Sequence, residues 1–198
     1  MTRTFIAERL PDAIRAQLAL QIESLKSRLP AAVRWVAPES LHLTLAFLGE
    51  LDDARLAAAK EATAVAAHEG APFTLALTHL GTFGPVRLPR VIWAGVTGDI
   101  AALANLQDRL ATELELRGFP REDRPFSPHL TLARVKELLR PDFARDLPEL
   151  LRAAPAEHGT WQVHELCVMK SDLRTGPTRT ATRYTCLHAY PLEGSQRA

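Results

Sequence analysis

His42-Leu43-Thr44-Leu45-Ala46 recurs unchanged as His129-Leu130-Thr131-Leu132-Ala133, 87 residues further on and close to half the 198-residue chain away. Each copy follows a polar, proline-containing stretch, Pro38-Glu39-Ser40 and Pro125-Phe126-Ser127-Pro128, and each lies in strand-like sequence. In a strand, successive side chains point to opposite faces and residues i and i+2 lie about 6.6 Å apart on one face. Leu43 and Leu45 therefore face a core, while His42 and Thr44 share the other face, as do His129 and Thr131. A duplicated lobe with one copy in each would bring two imidazoles and two hydroxyls into one cleft.

That set suits in-line displacement at phosphorus. One imidazole deprotonates the attacking oxygen and the other protonates the leaving oxygen, both near neutral pH. The hydroxyls donate to the non-bridging oxygens as their charge grows in the transition state. Such a reaction needs no metal, and in a cyclic ribose phosphate the ring supplies the leaving alkoxide and water the nucleophile. The same groups also bind phosphate, so a module that holds a nucleotide or RNA end without turning it over is the rival reading. Taken singly, each histidine could be a half-exposed strand residue with a structural hydrogen bond, and each threonine an ordinary strand residue.

The elements that must position these residues follow from periodicity and punctuation. Arg3 to Glu8 reads as a strand, followed by a helix from Pro11 to about Arg28 that Pro30 closes. Val33 to Val36 and Leu41 to Leu48 are strand-like. Leu51 to Glu69, with Leu56, Ala59, Thr63 and Ala66 at helical spacing, is a helix that stops at Gly70-Ala71-Pro72. Phe73 to Leu80 and Val91 to Val96 read as strands paired across the Gly81 to Arg90 loop. Asp99 is placed to cap a helix that runs to Arg117 and ends at Gly118. Then come a strand over His129 to Val135, a short helix around Phe143 to Leu151, and strands over Thr160 to Met169 and Thr182 to Ala189. Interspersed elements with hairpin-like connections predict an α+β fold rather than a doubly wound parallel sheet. The expected form is bilobal: residues 1–198 as a single domain of two interleaved, pseudo-symmetric lobes, each an antiparallel sheet packed on helices, with the cleft between them.

Composition sets the context. With 46% hydrophobic and 24% charged residues, the chain has the make-up of a globular protein. Lys and Arg together number 24 and Asp and Glu 23, so no global field would hold a long polyanion and any nucleic-acid contact is local. Only four of the cations are lysines, and the arginine fork suits phosphate. Arg121 and Arg124, and Arg174, Arg179 and Arg183, could rim the cleft, although a solvated face is the simpler reading of each. Trp93, in an apolar strand, is expected in the core, whereas Phe126 is open between packing and base stacking. Cys167 and Cys186 show no CxxC spacing and read as buried, inert thiols of a reducing compartment. His68, His79, His158, His164 and His188 show no metal-ligand spacing. The first ten residues contain no leader-like apolar core and no run of about 18 apolar residues occurs, so a cytoplasmic protein away from membranes is expected.

The two His-x-Thr-x motifs, with the flanks Ala46-Phe47-Leu48-Gly49 and Pro125-Phe126-Ser127-Pro128, resemble those of the 2H phosphoesterases, in particular the bacterial and archaeal RNA 2′,3′-cyclic phosphodiesterases, also called 2′-5′ RNA ligases. The resemblance runs from Phe5-Ile6-Ala7 through Ser171-Asp172-Leu173 to the strand at Tyr184. It implies metal-independent hydrolysis of a 2′,3′-cyclic phosphate at an RNA end to a 2′-phosphomonoester. Reversible 2′-5′ ligation of tRNA halves is attributed to the same family. By position, His42 corresponds to the proton donor, His129 to the proton acceptor, and Thr44 and Thr131 to phosphate-binding hydroxyls. Arg134 falls where related sequences often carry a basic residue that meets phosphate. No cofactor is implied, and a monomer whose partner is an RNA end is expected.

Overall fold

The computed structural model of the chain describes residues 1–29, 33–85, 88–136, 141–154, 159–175 and 180–195. Over these residues helices are interspersed among runs of one to three strands. In chain order they are β1 (Thr2–Arg9), α1 (Asp12–Lys26), β2 (Val33–Trp35), β3 (His42–Leu51), α2 (Asp53–His68), β4 (Phe73–Phe83), β5 (Val91–Gly98), α3 (Ile100–Leu116), β6 (His129–Val135), α4 (Pro141–Arg152), β7 (Thr160–Val163), β8 (Glu165–Thr175) and β9 (Thr180–Pro191). The fold is α+β, with one curled antiparallel sheet.

Local chemistry explains the helices. Asp52 caps α2 by accepting a hydrogen bond from Arg55 N at 2.8 Å, and the small side chains Ala59, Ala62, Thr63, Ala66 and Ala67 form its buried stripe. In α3 the leucines 103, 106, 110 and 114 are buried at spacings of three and four. Asp99 stands at the start of α3 as expected, but its carboxylate makes no cap there. It accepts instead from the backbone N–H of Thr74, at 2.9 Å, and so ties α3 to β4.

The sheet order is β7-β4-β5-β6-β3-β1-β8-β9, with β2 lying against β6. The expected β4–β5 hairpin is present and longer than alternation indicated, because Gly81 to Phe83 continue to pair, with Trp93 to Val91. The run from Thr160 to Met169 is not one strand. It breaks at His164, and its two parts lie near opposite ends of the strand order, β7 beside β4 and β8 beside β1. A single intervening residue can join them only if the sheet curls until those ends approach each other, and the bond from Leu192 N to His164 O, 2.8 Å, fastens the C-terminal strand to that corner.

Most buried side chains form one core that includes Leu43, Leu45, Leu130 and Leu132 together with the helix stripes. A smaller cluster of Phe5, Ala7, Cys167 and Met169, edged by Tyr184 and Cys186, lies apart from it. Cys167 is buried, with its thiol pushed well above the usual range by burial and by the neighbouring Cys186. Cys186, expected buried, is only half so, because it stands on β9, the edge strand of the sheet. No helix among the described residues is long and apolar enough to cross a membrane.

Candidate active site

The two motif strands are neighbours. Antiparallel β3 and β6 meet at one residue pair, Leu43 opposite Leu130. These are equivalent positions of the two motif copies, so a local two-fold axis passes through that pair. Continuing the register places His42 beside Thr131 and Thr44 beside His129. Both leucines are fully buried, whereas all four motif histidines and threonines are half-buried. Alternation therefore sets the two histidines and two threonines on one face of the sheet, with the leucines beneath them.

The imidazoles are held alike. His42 Nδ1 lies 2.7 Å from the carbonyl oxygen of Ser40, and His129 Nδ1 lies 2.8 Å from that of Ser127. A carbonyl only accepts, so each Nδ1 carries the proton and donates it, leaving each Nε2 available for a substrate. The repeat is longer than the pentapeptide: Pro38-x-Ser40-x-His42 and Pro125-x-Ser127-x-His129 share the same offset. The matched serines and prolines signalled that the turn feeding each histidine is duplicated along with the strand.

Aromatic rings fix the imidazoles from the side. Phe5 and Tyr184 flank His42 at centroid distances of 4.7 and 4.9 Å, and Phe83 meets His129 edge-on at 4.7 Å. None of these three rings was singled out from sequence, because pairing register decides which aromatics share a face. Trp93 was expected in the core. It is half-buried and pairs with Thr131, which puts it on the histidine face, where it lies over Gly81 and against Phe83. Phe126 packs partly buried against the main core.

Burial is the chief cause holding the His42 imidazole below the ordinary histidine range. The bond to Ser40 opposes it, and the nearby charges of Arg134 and His129 push it further down.

Arg134 reaches the face through a bulge. Strict alternation from Thr131 would turn position 134 toward the leucines. In the β5–β6 ladder, however, Ile92 pairs with Ala133 and Trp93 with Thr131, so Leu132 is an extra residue. Leu132 and Ala133 are both buried in succession, and exposed Arg134 returns to the side of His129 and Thr131. The other copy does the same: Ile6 pairs with Ala46 and Ala7 with Thr44, leaving Leu45 as the extra residue and Phe47 71% exposed. Phe47 and Arg134 are thus equivalent positions, and the pseudo-symmetric floor has an aromatic arm on one side and a cationic arm on the other.

The other candidate arginines lie elsewhere. Arg121 pairs with Asp108 and Glu115, and Arg124 with Glu122, on the surface. Arg183 is exposed on β9; Arg179 and the side chain of Arg174 lie outside the described residues, as does His158. Among the described residues no group of three His, Cys, Asp or Glu side chains is placed to hold a metal ion.

A family model described as the 2′-5′ RNA ligase superfamily matches residues 10–175. The chain belongs to that superfamily. An RNA 2′,3′-cyclic phosphodiesterase of Geobacillus stearothermophilus is 35% identical over 96% of the chain, which spans 57% of that relative's length. Among solved structures of similar fold, TT0787 of Thermus thermophilus superposes with a TM-score of 0.79 at 29% identity, covering 98% of this chain and 100% of that one. E. coli LigT complexed with 3′-AMP gives 0.73 at 30% identity, covering 96% and 98%. The superfamily match embraces both motif strands and all four helices described above.

Proposed function

We propose that the protein hydrolyses RNA 2′,3′-cyclic phosphate ends to 2′-phosphomonoesters without a metal ion, and that the motif pair is its active site. The observation that carries this reading is the duplicated anchoring of the two imidazoles, each pinned through Nδ1 to a carbonyl two residues earlier, on a face shared with both threonines. The name of the Geobacillus relative supports the substrate class.

In the reaction, water attacks phosphorus and the bond to the ribose 3′-oxygen breaks. His129 takes the proton from water, and protonated His42 delivers one to the departing 3′-oxygen. The Thr44 and Thr131 hydroxyls donate to the non-bridging oxygens, and Arg134 offsets the added charge. The resting environment favours neutral His42. The anionic phosphate reverses that preference when it arrives, so substrate charges its own acid. With a 5′-hydroxyl in place of water the same two groups keep their roles and the product is a 2′-5′ linkage; they exchange roles when the 3′-hydroxyl attacks that linkage and re-forms the cyclic phosphate. In this reading residues 1–198 act as a single domain of two interleaved lobes, a cytoplasmic monomer whose partner is an RNA end such as that of a tRNA half.

The test is to incubate the protein, in EDTA, with a short RNA ending in a 2′,3′-cyclic phosphate and to assign the product by phosphorus NMR. A 2′-phosphate is expected. A 3′-phosphate would reverse the leaving group, and RNA that binds but stays cyclic would favour a module that only holds the end. Adding excess 5′-hydroxyl RNA and looking for a joined product tests whether a 5′-hydroxyl can replace water.

A further inference from the structure

A second feature adjoins the histidine face. Where β6 ends, a groove opens between β2, β6 and the segment leading into β5, lined by Arg34, Arg90, Arg134 and Lys136, with Leu88 and Pro89 among the apolar groups beside them. Among the described residues no acidic side chain lines it. In a chain whose charges nearly cancel, four cations along one groove are a local departure from balance.

Arg9, Arg109, Arg117 and Arg121 are each paired with a carboxylate. Arg90, Arg134 and Lys136 have no ion pair among the described residues, and all three are exposed. Arg134 also stands directly opposite Arg34 in the β2–β6 ladder. The backbone around the cations is held firmly: Arg90 N donates to Phe83 O at 2.8 Å, and Val135 N donates to Arg90 O at 2.9 Å. The backbone that carries these cations is therefore held in place beneath the groove.

Position gives the track a direction. Arg134 belongs both to the histidine face and to the groove. Lys136 lies five residues beyond Thr131, roughly 16 Å along an extended chain. An anion repeating at intervals over that distance is a polynucleotide backbone, whereas a single nucleotide would end near Arg134.

We infer that this groove binds the phosphates of the RNA strand upstream of the reacting end, so that the protein takes an oligonucleotide end in preference to an isolated cyclic nucleotide. The inference deepens the proposed function and rests on it for the location of the reacting phosphate. Exposed arginine and lysine without carboxylate partners are the groups that release counterions when phosphates dock, and single strands give a salt slope of about −0.7 for each phosphate neutralised.

The experiment compares the wild type with the double variant Arg90→Gln/Lys136→Gln, neither residue having a part in the proposed reaction. Two probes are used, a labelled RNA of about eight nucleotides ending in a 2′-phosphate and the mononucleotide 2′,3′-cyclic AMP. The inference expects the variant to bind the oligonucleotide about tenfold more weakly, with a salt slope shallower by about 1.4, as for two lost phosphate contacts. Turnover of 2′,3′-cyclic AMP should be unchanged. Unchanged oligonucleotide affinity and slope would overturn the inference, as would equal losses for oligonucleotide and mononucleotide. Oligonucleotide binding is read without turnover, so it remains decisive even if no cyclic phosphate is hydrolysed, an outcome that would remove the proposed function alone.

Discussion

Glu8→Gln is expected to stabilise the protein at neutral and higher pH. Glu8 is 3% exposed on β1, opposite Leu43 and on the helix-covered side of the sheet. Burial raises its carboxyl from 4.5 to about 8; the Trp161 indole pulls it back only in part, and Glu165 adds to the rise. Glu8 Oε2 and Trp161 Nε1 lie outside hydrogen-bonding geometry with any described group. Between those two values the folded state holds a proton that the unfolded state has released, so stability falls as pH rises through the window. At about 1.4 kcal/mol per unit, the share of the shift lying between about pH 5 and pH 8 amounts to about 3 kcal/mol. Glutamine fills the same volume and has no such proton. Urea unfolding followed by tryptophan fluorescence across that window should show the wild type losing about 3 kcal/mol more than the variant. Parallel curves for the two proteins would show that Glu8 ionises freely in the folded state and would refute the reasoning.

The reacting face makes further predictions. Thr131→Val removes a hydroxyl without changing shape and should lower kcat about 10²-fold, with Thr44→Val comparable, because each donates to oxygens that gain charge only in the transition state; single-turnover kinetics checks this. The ionisation of His42 should appear at lower pH in kcat/KM than in kcat, since the bound phosphate raises it. In Arg134→Gln that same ionisation should move upward in kcat/KM, a positive neighbour having been removed. Gly81→Ala should both lower the melting temperature and slow turnover, because a Cβ there would overlap the Trp93 ring beside Thr131; thermal melting and kcat check the two effects.

Much of this site was legible in the sequence because it depends on period and repetition. The leucines of each motif had to be buried if the histidines were to be exposed, and Leu43 and Leu130 are buried as that alternation requires. What escaped depends on pairing. The one local mark of the break at His164 is a slip in alternation, Trp161 and Val163 being buried at odd positions and Leu166 and Val168 at even ones, which is easily read as a single apolar run. Arg134 was assigned by resemblance against the direction that strict alternation gives, and the bulge at Leu132 reconciles the two. Phe5, Phe83 and Tyr184 come from strands far apart in the chain, and only the sheet register gathers them around the imidazoles. Trp93 looked like a core residue because its neighbours Ile92 and Ala94 are core residues; its own face follows from the pairing with Thr131.

The most direct test of the two-histidine account is the single-turnover rate on a cyclic-ended RNA, in EDTA, for the wild type, His42→Ala and His129→Ala. With acid and base each supplying roughly 10²–10⁴-fold, each variant should lose about three orders of magnitude in rate while binding the RNA with nearly unchanged affinity. A variant that keeps rates within about tenfold of the wild type would contradict the account, because one imidazole would then be dispensable to the chemistry assigned to the pair.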